Sequence, residues 1–414
     1  MEDEMDSFPF KLPLILDGAT GTQLMAAGKP EGVCGELWNL EHPEVLTAIQ
    51  KAYADAGSDA VYAPTFEANR HRLKAFGLEN DVARINRELV QLTRNAVGEG
   101  VLVGGDMSIT GLFIEPYGEA TFDQLVDIFR EQGKALVDAG VDFIGFETMM
   151  SLWECRAGLI ATRDLGVPVF VSITVDGNGR TLMGSTLPAC VVTLQELGAA
   201  AIGINCAEGP AGLDELFYRA MVCAKVPLIA KPNAGRPDPE HPGRFDLDCP
   251  QFIDEMKNVI RSGAVILGGC CGTGPEHIAG LAELASAIGE VTIPCCTDQI
   301  CANESSVFFL PEEPGDINLS EPIECSWGLE DDLIELEDER VNVAVVRVET
   351  EEDVRTLSEA APMSRLPISV LCDDEAILDA ALRNFHGRAL VDSRSTLDEA
   401  VLRRVAERYG AIVF

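Results

Sequence analysis

Gly268-Gly-Cys-Cys-Gly-Thr273 follows the apolar run Ala264-Val-Ile-Leu267 and precedes Gly274-Pro-Glu-His-Ile278. The run reads as a buried strand. The segment after the cysteines reads as a helix start, with Thr273 as N-cap and Pro275 and Glu276 in the first turn. In a regular strand two adjacent cysteines point to opposite faces. They converge only where the backbone leaves strand geometry, and Gly268, Gly269 and Gly272 free it to do so. Cys270 and Cys271 therefore sit at a strand-to-helix turn, where α/β barrels carry their chemistry. Taken alone, the pair reads either as metal-binding thiols or as small buried residues or a vicinal disulfide.

Working outward from that turn, short apolar runs alternate with amphipathic stretches, the pattern of βαβ units and a parallel sheet. The expected strands are 12–16, 60–63, 101–103, 142–146, 169–174, 200–204, 227–230 and 264–267. Eight units close a (β/α)8 TIM barrel, in which the residue at each strand's carboxyl end faces one mouth. Asp17, Thr65, Asp106, Glu147, Thr174, Cys206, Asn233 and the Cys270–Cys271 pair would then converge. An open doubly wound sheet gives no reason for eight such units without a hairpin.

After residue 293 the texture changes. The stretch 294–340 is acidic, with little periodicity over 312–340, and reads as a linker. From 341 to 414 a further alternation of strands and helices predicts a small, incomplete α/β unit. The expected organisation is thus 1–293, 294–340 and 341–414.

The chain has 414 residues, 68 acidic against 31 basic, for a formal net charge of −37. Such a surface repels phosphate backbones and anionic lipid, which argues against nucleic-acid and membrane partners. The start, Met1-Glu-Asp-Glu-Met-Asp6, has no apolar h-region, so no signal peptide is expected. Thirteen cysteines, an odd number without a secretory signal, read as reduced thiols of a cytoplasmic protein rather than a disulfide framework.

Cys206, Cys270 and Cys271, from two strand ends, make a Zn2+ site with its fourth tetrahedral position open, as catalytic zinc requires. An electron-rich trithiolate site suits binding and deprotonating a substrate thiol better than generating hydroxide. The five histidines read as solvated or helix-end residues, and Cys155, Cys190 and Cys223 as packing residues on helices. Cys295, Cys296, Cys301 and Cys325 show no clean C-x-x-C pairing.

The motifs Asp17-Gly-Ala-Thr-Gly-Thr22, Gly145-Phe-Glu-Thr148, Gly203-Ile-Asn-Cys206 and Gly268-Gly-Cys-Cys-Gly-Thr273 together resemble the homocysteine S-methyltransferase family. Leu112-Phe-Ile-Glu-Pro-Tyr-Gly118 is most similar to the homocysteine module of bacterial cobalamin-dependent methionine synthases. The resemblance covers roughly residues 10–290. It implies a zinc held by Cys206, Cys270 and Cys271, with homocysteine sulfur as fourth ligand. It implies that Asp17 and Glu147 face the substrate's ammonium group and that backbone amides near Gly18 and Ala19 receive its carboxylate. Thr65 and Asn69 are further candidates for the pocket lining, and Lys231 and Asn233 are weaker ones.

Leu366–Glu375 and Ala380–Ser393 resemble an interior stretch of the methyltetrahydrofolate-binding barrel that follows the homocysteine module in methionine synthases. The family's aspartate near Cys372 and asparagine near Asp392 are altered, so folate binding is not expected. No D-x-H-x-x-G signature of a cobalt-ligating histidine is present. The expected donor is therefore methylcobalamin on a separate corrinoid protein. Alternatives are S-methylmethionine or betaine as donor, or a non-catalytic zinc- and thiol-binding role.

Overall fold

The computed structural model describes residues 8–113, 118–241, 243–289, 291, 293, 296–311 and 316–414. Most of the Leu112–Gly118 motif, Cys295 and the acidic start lie outside the described residues. The chain divides into two compact units, one of Met1–Met183 with Gly198–Pro294, the other of Gly184–Leu197 with Cys295–Phe414.

The first unit is a (β/α)8 barrel. Its strands are β1 (Leu14–Ile15), β2 (Ala60–Ala63), β3 (Leu102–Met107), β4 (Phe143–Met149), β5 (Val169–Ile173), β6 (Ala201–Asn205), β7 (Leu228–Lys231) and β8 (Ala264–Leu267). They form one parallel sheet in the order β1-β8-β7-β6-β5-β4-β3-β2. Between β1 and β2 the ring is bridged rather than laddered. The Asp59 amide donates to Ile15 O at 2.7 Å, and the Ile15 amide donates to Asp59 Oδ2 at 2.8 Å.

In chain order the helices of this region are α1 (Thr20–Ala26), α2 (Gly35–Glu41), α3 (Pro43–Asp55), α4 (Arg70–Lys74), α5 (Val82–Val97), α6 (Phe122–Asp138), α7 (Leu152–Thr162), α8 (Leu187–Glu196), α9 (Leu213–Met221), α10 (Cys249–Arg261) and α11 (Pro275–Ser286). Of these, α8 groups with the second unit. The long helices form where apolar side chains recur at helical spacing. In α5, Val82, Ile85, Leu89 and Val90 are buried. The helix after the cysteine pair starts one residue later than expected: Gly274, not Thr273, is its N-cap, and the Gly274 amide donates to His277 Nδ1 at 3.1 Å. Thr273 is used elsewhere, in the turn itself.

The barrel interior is an apolar plug of Leu14, Leu16, Tyr62, Phe143, Phe170, Ile229 and Ile266. The rings of Phe143 and Phe170 stack at 4.5 Å, and Tyr62 meets Phe143 edge-on at 5.4 Å. Strand side chains alternate, so residues two further along from this plug also face inward. Ile229 is followed in this way by Lys231, and Phe170 by Ser172. Gly145 lies against Tyr62, where a Cβ would fall 2.4 Å from its Cε1; Glu147 comes two residues later. Gly104 likewise abuts Phe143 and is followed by Asp106. A polar layer thus sits on an apolar floor at the carboxyl ends of the strands.

The second unit contains the antiparallel hairpin β9 (Ile300–Ala302) and β10 (Val307–Phe309). It also holds a parallel sheet in sequential order, β11 (Ile323–Glu324), β12 (Ala344–Arg347), β13 (Ile368–Leu371), β14 (Leu390–Val391) and β15 (Ile412–Val413). Between these strands run α12 (Leu329–Leu336), α13 (Glu351–Ala360), α14 (Glu375–Asn384) and α15 (Glu399–Tyr409). The acidic stretch read as a linker therefore carries a hairpin, a strand and a helix. Buried Leu329, Leu333 and Leu336 give α12 its inner stripe. Its acids, Glu330, Asp331 and Asp332, occupy the first turn, where the helix dipole favours them. Arg388 ties the unit together from within. Its buried guanidinium donates to Gly410 O, Asp298 O and Ile300 O at 2.7–3.0 Å and pairs with Glu196 at 3.1 Å.

Candidate active site

The three expected thiols come together. The Sγ atoms of Cys206, Cys270 and Cys271 all lie within 4.8 Å of one another, with Cys206 and Cys271 4.0 Å apart. Zinc–sulfur bonds of about 2.3 Å at tetrahedral angles place sulfurs about 3.8 Å apart, so the donor set fits such an ion. Contacts with Cys206 and Cys270 pull the Cys271 thiol below its usual range, while contacts with Cys270 and Cys271, together with burial, push the Cys206 thiol up.

Backbone geometry builds this cluster. Cys206 follows β6 directly and has φ of 56°, the left-handed region that costs a non-glycine residue about 1–3 kcal/mol. Thr148, in the irregular end of β4, has φ of 58°. Asn205 clamps the two together. Its Oδ1 accepts from the Thr148 amide at 2.7 Å, and its Nδ2 donates to Thr148 Oγ1 at 2.8 Å and reaches Cys270 Sγ at 4.0 Å.

The Cys270–Cys271 turn is held from three sides. The Cys270 amide donates to Pro232 O and the Ala234 amide to Cys271 O, both at 2.9 Å. Thr273 Oγ1 donates to Cys270 O at 2.7 Å and accepts from the Ala19 amide at 3.1 Å. Gly272 takes φ of 81°, and a Cβ there would fall 2.3 Å from Phe245. Gly18 fits for a different reason, since a Cβ would stand 2.8 Å from Tyr53, whose hydroxyl donates to Ala19 O.

Beside the thiols lies a buried set of charges. Lys231 Nζ is 2.6 Å from Glu147 Oε1 and 3.3 Å from Asp17 Oδ1, and stands 4.3 Å from the centre of the Tyr62 ring. Asp17 Oδ2 accepts from the Tyr62 amide at 2.9 Å. Burial raises the Asp17 carboxyl from its usual 3.8 to about 6, against the pull of Lys231 and with a push from Glu147. Burial also raises Glu147, again opposed by Lys231. Burial works against the Lys231 ammonium, but Glu147 and Asp17 outweigh it and keep the side chain firmly charged.

Of the remaining expected residues, Thr65 and Asn69 both make hydrogen bonds to the backbone around them. Thr65 Oγ1 donates to Asp106 O at 2.8 Å and accepts from the Asp106 amide at 3.0 Å. Asn69 caps α4 through the Arg72 amide. The Ala19 amide, near which the resemblance places the substrate carboxylate, donates to Thr273 Oγ1. Thr174 Oγ1 donates to Cys206 O at 3.2 Å, and Asn233 Oδ1 is buried without a donor among the described residues. Cys155, Cys190 and Cys223 are buried on or beside helices, as expected of packing residues. Lys231 and Asn205 are the residues that sequence reasoning undervalued. Lys231 stands two positions beyond Ile229 on the inward face, a parity legible only once the barrel's inside is known.

The family model for homocysteine S-methyltransferase matches residues 14–285. Two mycobacterial methionine synthases are similar in sequence. That of Mycobacterium tuberculosis is 30% identical over 305 residues, covering 68% of this chain and 25% of the relative. That of Mycobacterium leprae is 29% identical over 302 residues with the same coverages. The chain thus matches about a quarter of the length of these relatives. Among solved structures, the metallated form of the Escherichia coli homocysteine methyltransferase MmuM is 25% identical, with a TM-score of 0.53, covering 66% of this chain and 96% of that one. Its oxidized form, 24% identical with a TM-score of 0.55 over 66% and 95% of the two chains, shares the fold. With the family model spanning the whole barrel and its strand-end thiols, the chain belongs to the homocysteine S-methyltransferase family.

Proposed function

We propose that this protein transfers a methyl group to the thiol of homocysteine, giving methionine, at a zinc ion held by Cys206, Cys270 and Cys271. The observation that carries this reading is the convergence of those three sulfur atoms from the loops after β6 and β8. Zinc bound there supplies a Lewis acid that keeps a substrate thiol ionised near neutral pH and so nucleophilic.

The chain's own residues do the rest. Asp17 and Glu147 give the pocket negative potential toward an ammonium group. The Gly18 amide, beside α1, offers a donor to the substrate carboxylate. The apolar floor of Tyr62, Phe143 and Phe170 excludes water beneath the site, which strengthens each charge interaction above it. The Asn205–Thr148 clamp and the Thr273 contacts fix the thiols before substrate arrives, so that the thiol is presented in line with its donor. Thr65 and Asn69 are proposed as the wall behind the pocket.

We further propose a methylated corrinoid on a separate protein as the donor, supported by the similarity to proteins named methionine synthase. A reducing compartment such as the cytoplasm suits thiols that must remain unbridged. The barrel, 1–293, would carry the chemistry, with 341–414 as a distinct α/β unit beyond the 294–340 segment.

The test is to purify the protein anaerobically, measure zinc, and offer homocysteine with methylcobalamin, a methylated corrinoid protein, S-methylmethionine or betaine in turn. Methionine formed from a corrinoid donor supports the whole reading. Methionine formed only from S-methylmethionine or betaine overturns the donor assignment. Zinc binding without turnover from any donor identifies a thiol-binding protein instead.

A further inference from the structure

Three carboxyl groups share the barrel mouth with one internal cation. Asp106 is the third. It stands on β3 two residues beyond Gly104, whose missing side chain leaves room for Phe143 and Tyr62, so its side chain faces the same interior as Glu147 and Lys231. It is 8% exposed. Its neighbours by charge are Glu147, Lys231, Asp17 and Cys270, and burial followed by Glu147 pushes its carboxyl well above the usual range.

The internal cation does not satisfy this set. Lys231 Nζ is committed to Glu147 Oε1 and Asp17 Oδ1, and Asp17 Oδ2 is committed to the Tyr62 amide. Asp106 Oδ1 is buried and accepts from no donor among the described residues. A buried carboxylate oxygen without a partner carries its full desolvation cost until a donor arrives. Lys231 therefore occupies acceptors on Asp17 and Glu147 that an incoming ammonium would otherwise take whole. Asp106 retains the acceptor that is not shared.

We propose that Asp106 is the specificity-determining acceptor for the α-ammonium group of the thiol substrate, with Lys231 remaining between Asp17 and Glu147 as a fixed counter-ion. This rests on the reading of the site as a zinc-dependent homocysteine site. On this account the mouth selects amino-acid thiols over simple mercapto acids, because an ammonium brings a second cation to three carboxyl groups that the chain itself supplies with one.

The experiment measures binding of two thiols to the zinc-loaded full chain by calorimetry. One is homocysteine; the other is 4-mercaptobutanoate, the same molecule without its amino group. Asp106→Asn should weaken homocysteine by about tenfold or more, the scale of a lost hydrogen bond to a charged group, and leave 4-mercaptobutanoate within about twofold. Zinc content, read by metal analysis, should not change. If D106N does not retain zinc, Asp106→Ser is put through the same comparison. Equal weakening of both thiols, or of neither, overturns the proposal while leaving the zinc-site reading intact. Wild-type protein that carries zinc but binds neither thiol overturns both together.

Discussion

Cys206 Sγ and Cys271 Sγ stand 4.0 Å apart although 65 residues separate them in the chain. One leaves β6 through a left-handed residue and the other sits in a glycine-rich turn after β8. Neither strand alone could bring two thiols to one point. The barrel's closure does so, and backbone hydrogen bonds through Lys231 O and Pro232 O, from β7 and its end, hold both loops to the strand between them.

The Asn205 clamp should govern metal affinity without supplying a ligand. Replacing Asn205 with Ala removes the bonds that tie left-handed Thr148 to the end of β6, directly before Cys206, and the contact with Cys270 Sγ. Zinc affinity should fall by about 10–100-fold, the usual cost of losing a group that orients metal ligands. Competition with a chromogenic chelator measures this, and an unchanged affinity would contradict it.

Lys231 should be indispensable to the fold as well as to the site. Its replacement by Met strands two buried carboxylates, a loss of about 3–5 kcal/mol in unfolding free energy for a broken buried pair. Urea denaturation of the zinc-loaded protein reads the change directly. A loss under about 1 kcal/mol would place the ion pair in the surface class and refute the burial argument.

Asp17 gives a pH dependence with a definite sign. Its carboxyl rises from 3.8 to about 6 in the folded protein because burial outweighs Lys231. An acid with a raised folded pKa contributes stability that is whole below the lower value and lost as pH climbs from 3.8 to about 6. Substrate use runs the other way, since the ionised carboxylate is what Lys231 and a substrate ammonium require. The kcat/KM for homocysteine should therefore fall as pH drops through about 6, and Asp17→Asn should lower it at neutral pH and flatten that limb. A wild-type profile flat from about pH 5 to about 8 would contradict the assignment.

In the second unit, Arg388→Met leaves the Gly410, Asp298 and Ile300 carbonyls and Glu196 without their shared cation. Stability of this unit should fall by about 3 kcal/mol or more. Hydrogen exchange should quicken at β9, β14 and β15. Unaltered exchange there would mean that the arginine is not what joins these elements.

Much of this was legible in the sequence for one physical reason. A parallel barrel buries its strands on both faces, so each is a short apolar run, and a polar or thiol residue stands out at its end. Asp17, Glu147, Cys206 and the Cys270–Cys271 pair could be read that way. Lys231 could not be ranked, because its importance lies in two carboxylates that arrive from β4 and the end of β1. The short helices α1 and α2 hold too few turns to show a period. In α12 the run Glu330-Asp331-Asp332 obscured the spacing of Leu329, Leu333 and Leu336, and a helix was read as linker. The bond from the Ala19 amide to Thr273 was not legible, because 254 residues separate the two in the chain.

Zinc K-edge X-ray absorption on the protein, with and without homocysteine, tests the central claim most directly. The account predicts three sulfur neighbours at about 2.3 Å in the free protein and four once homocysteine is added, with Cys206→Ser removing the metal. A bound metal with fewer than three sulfurs, a sulfur count that homocysteine leaves unchanged, or full zinc retention by C206S would contradict it.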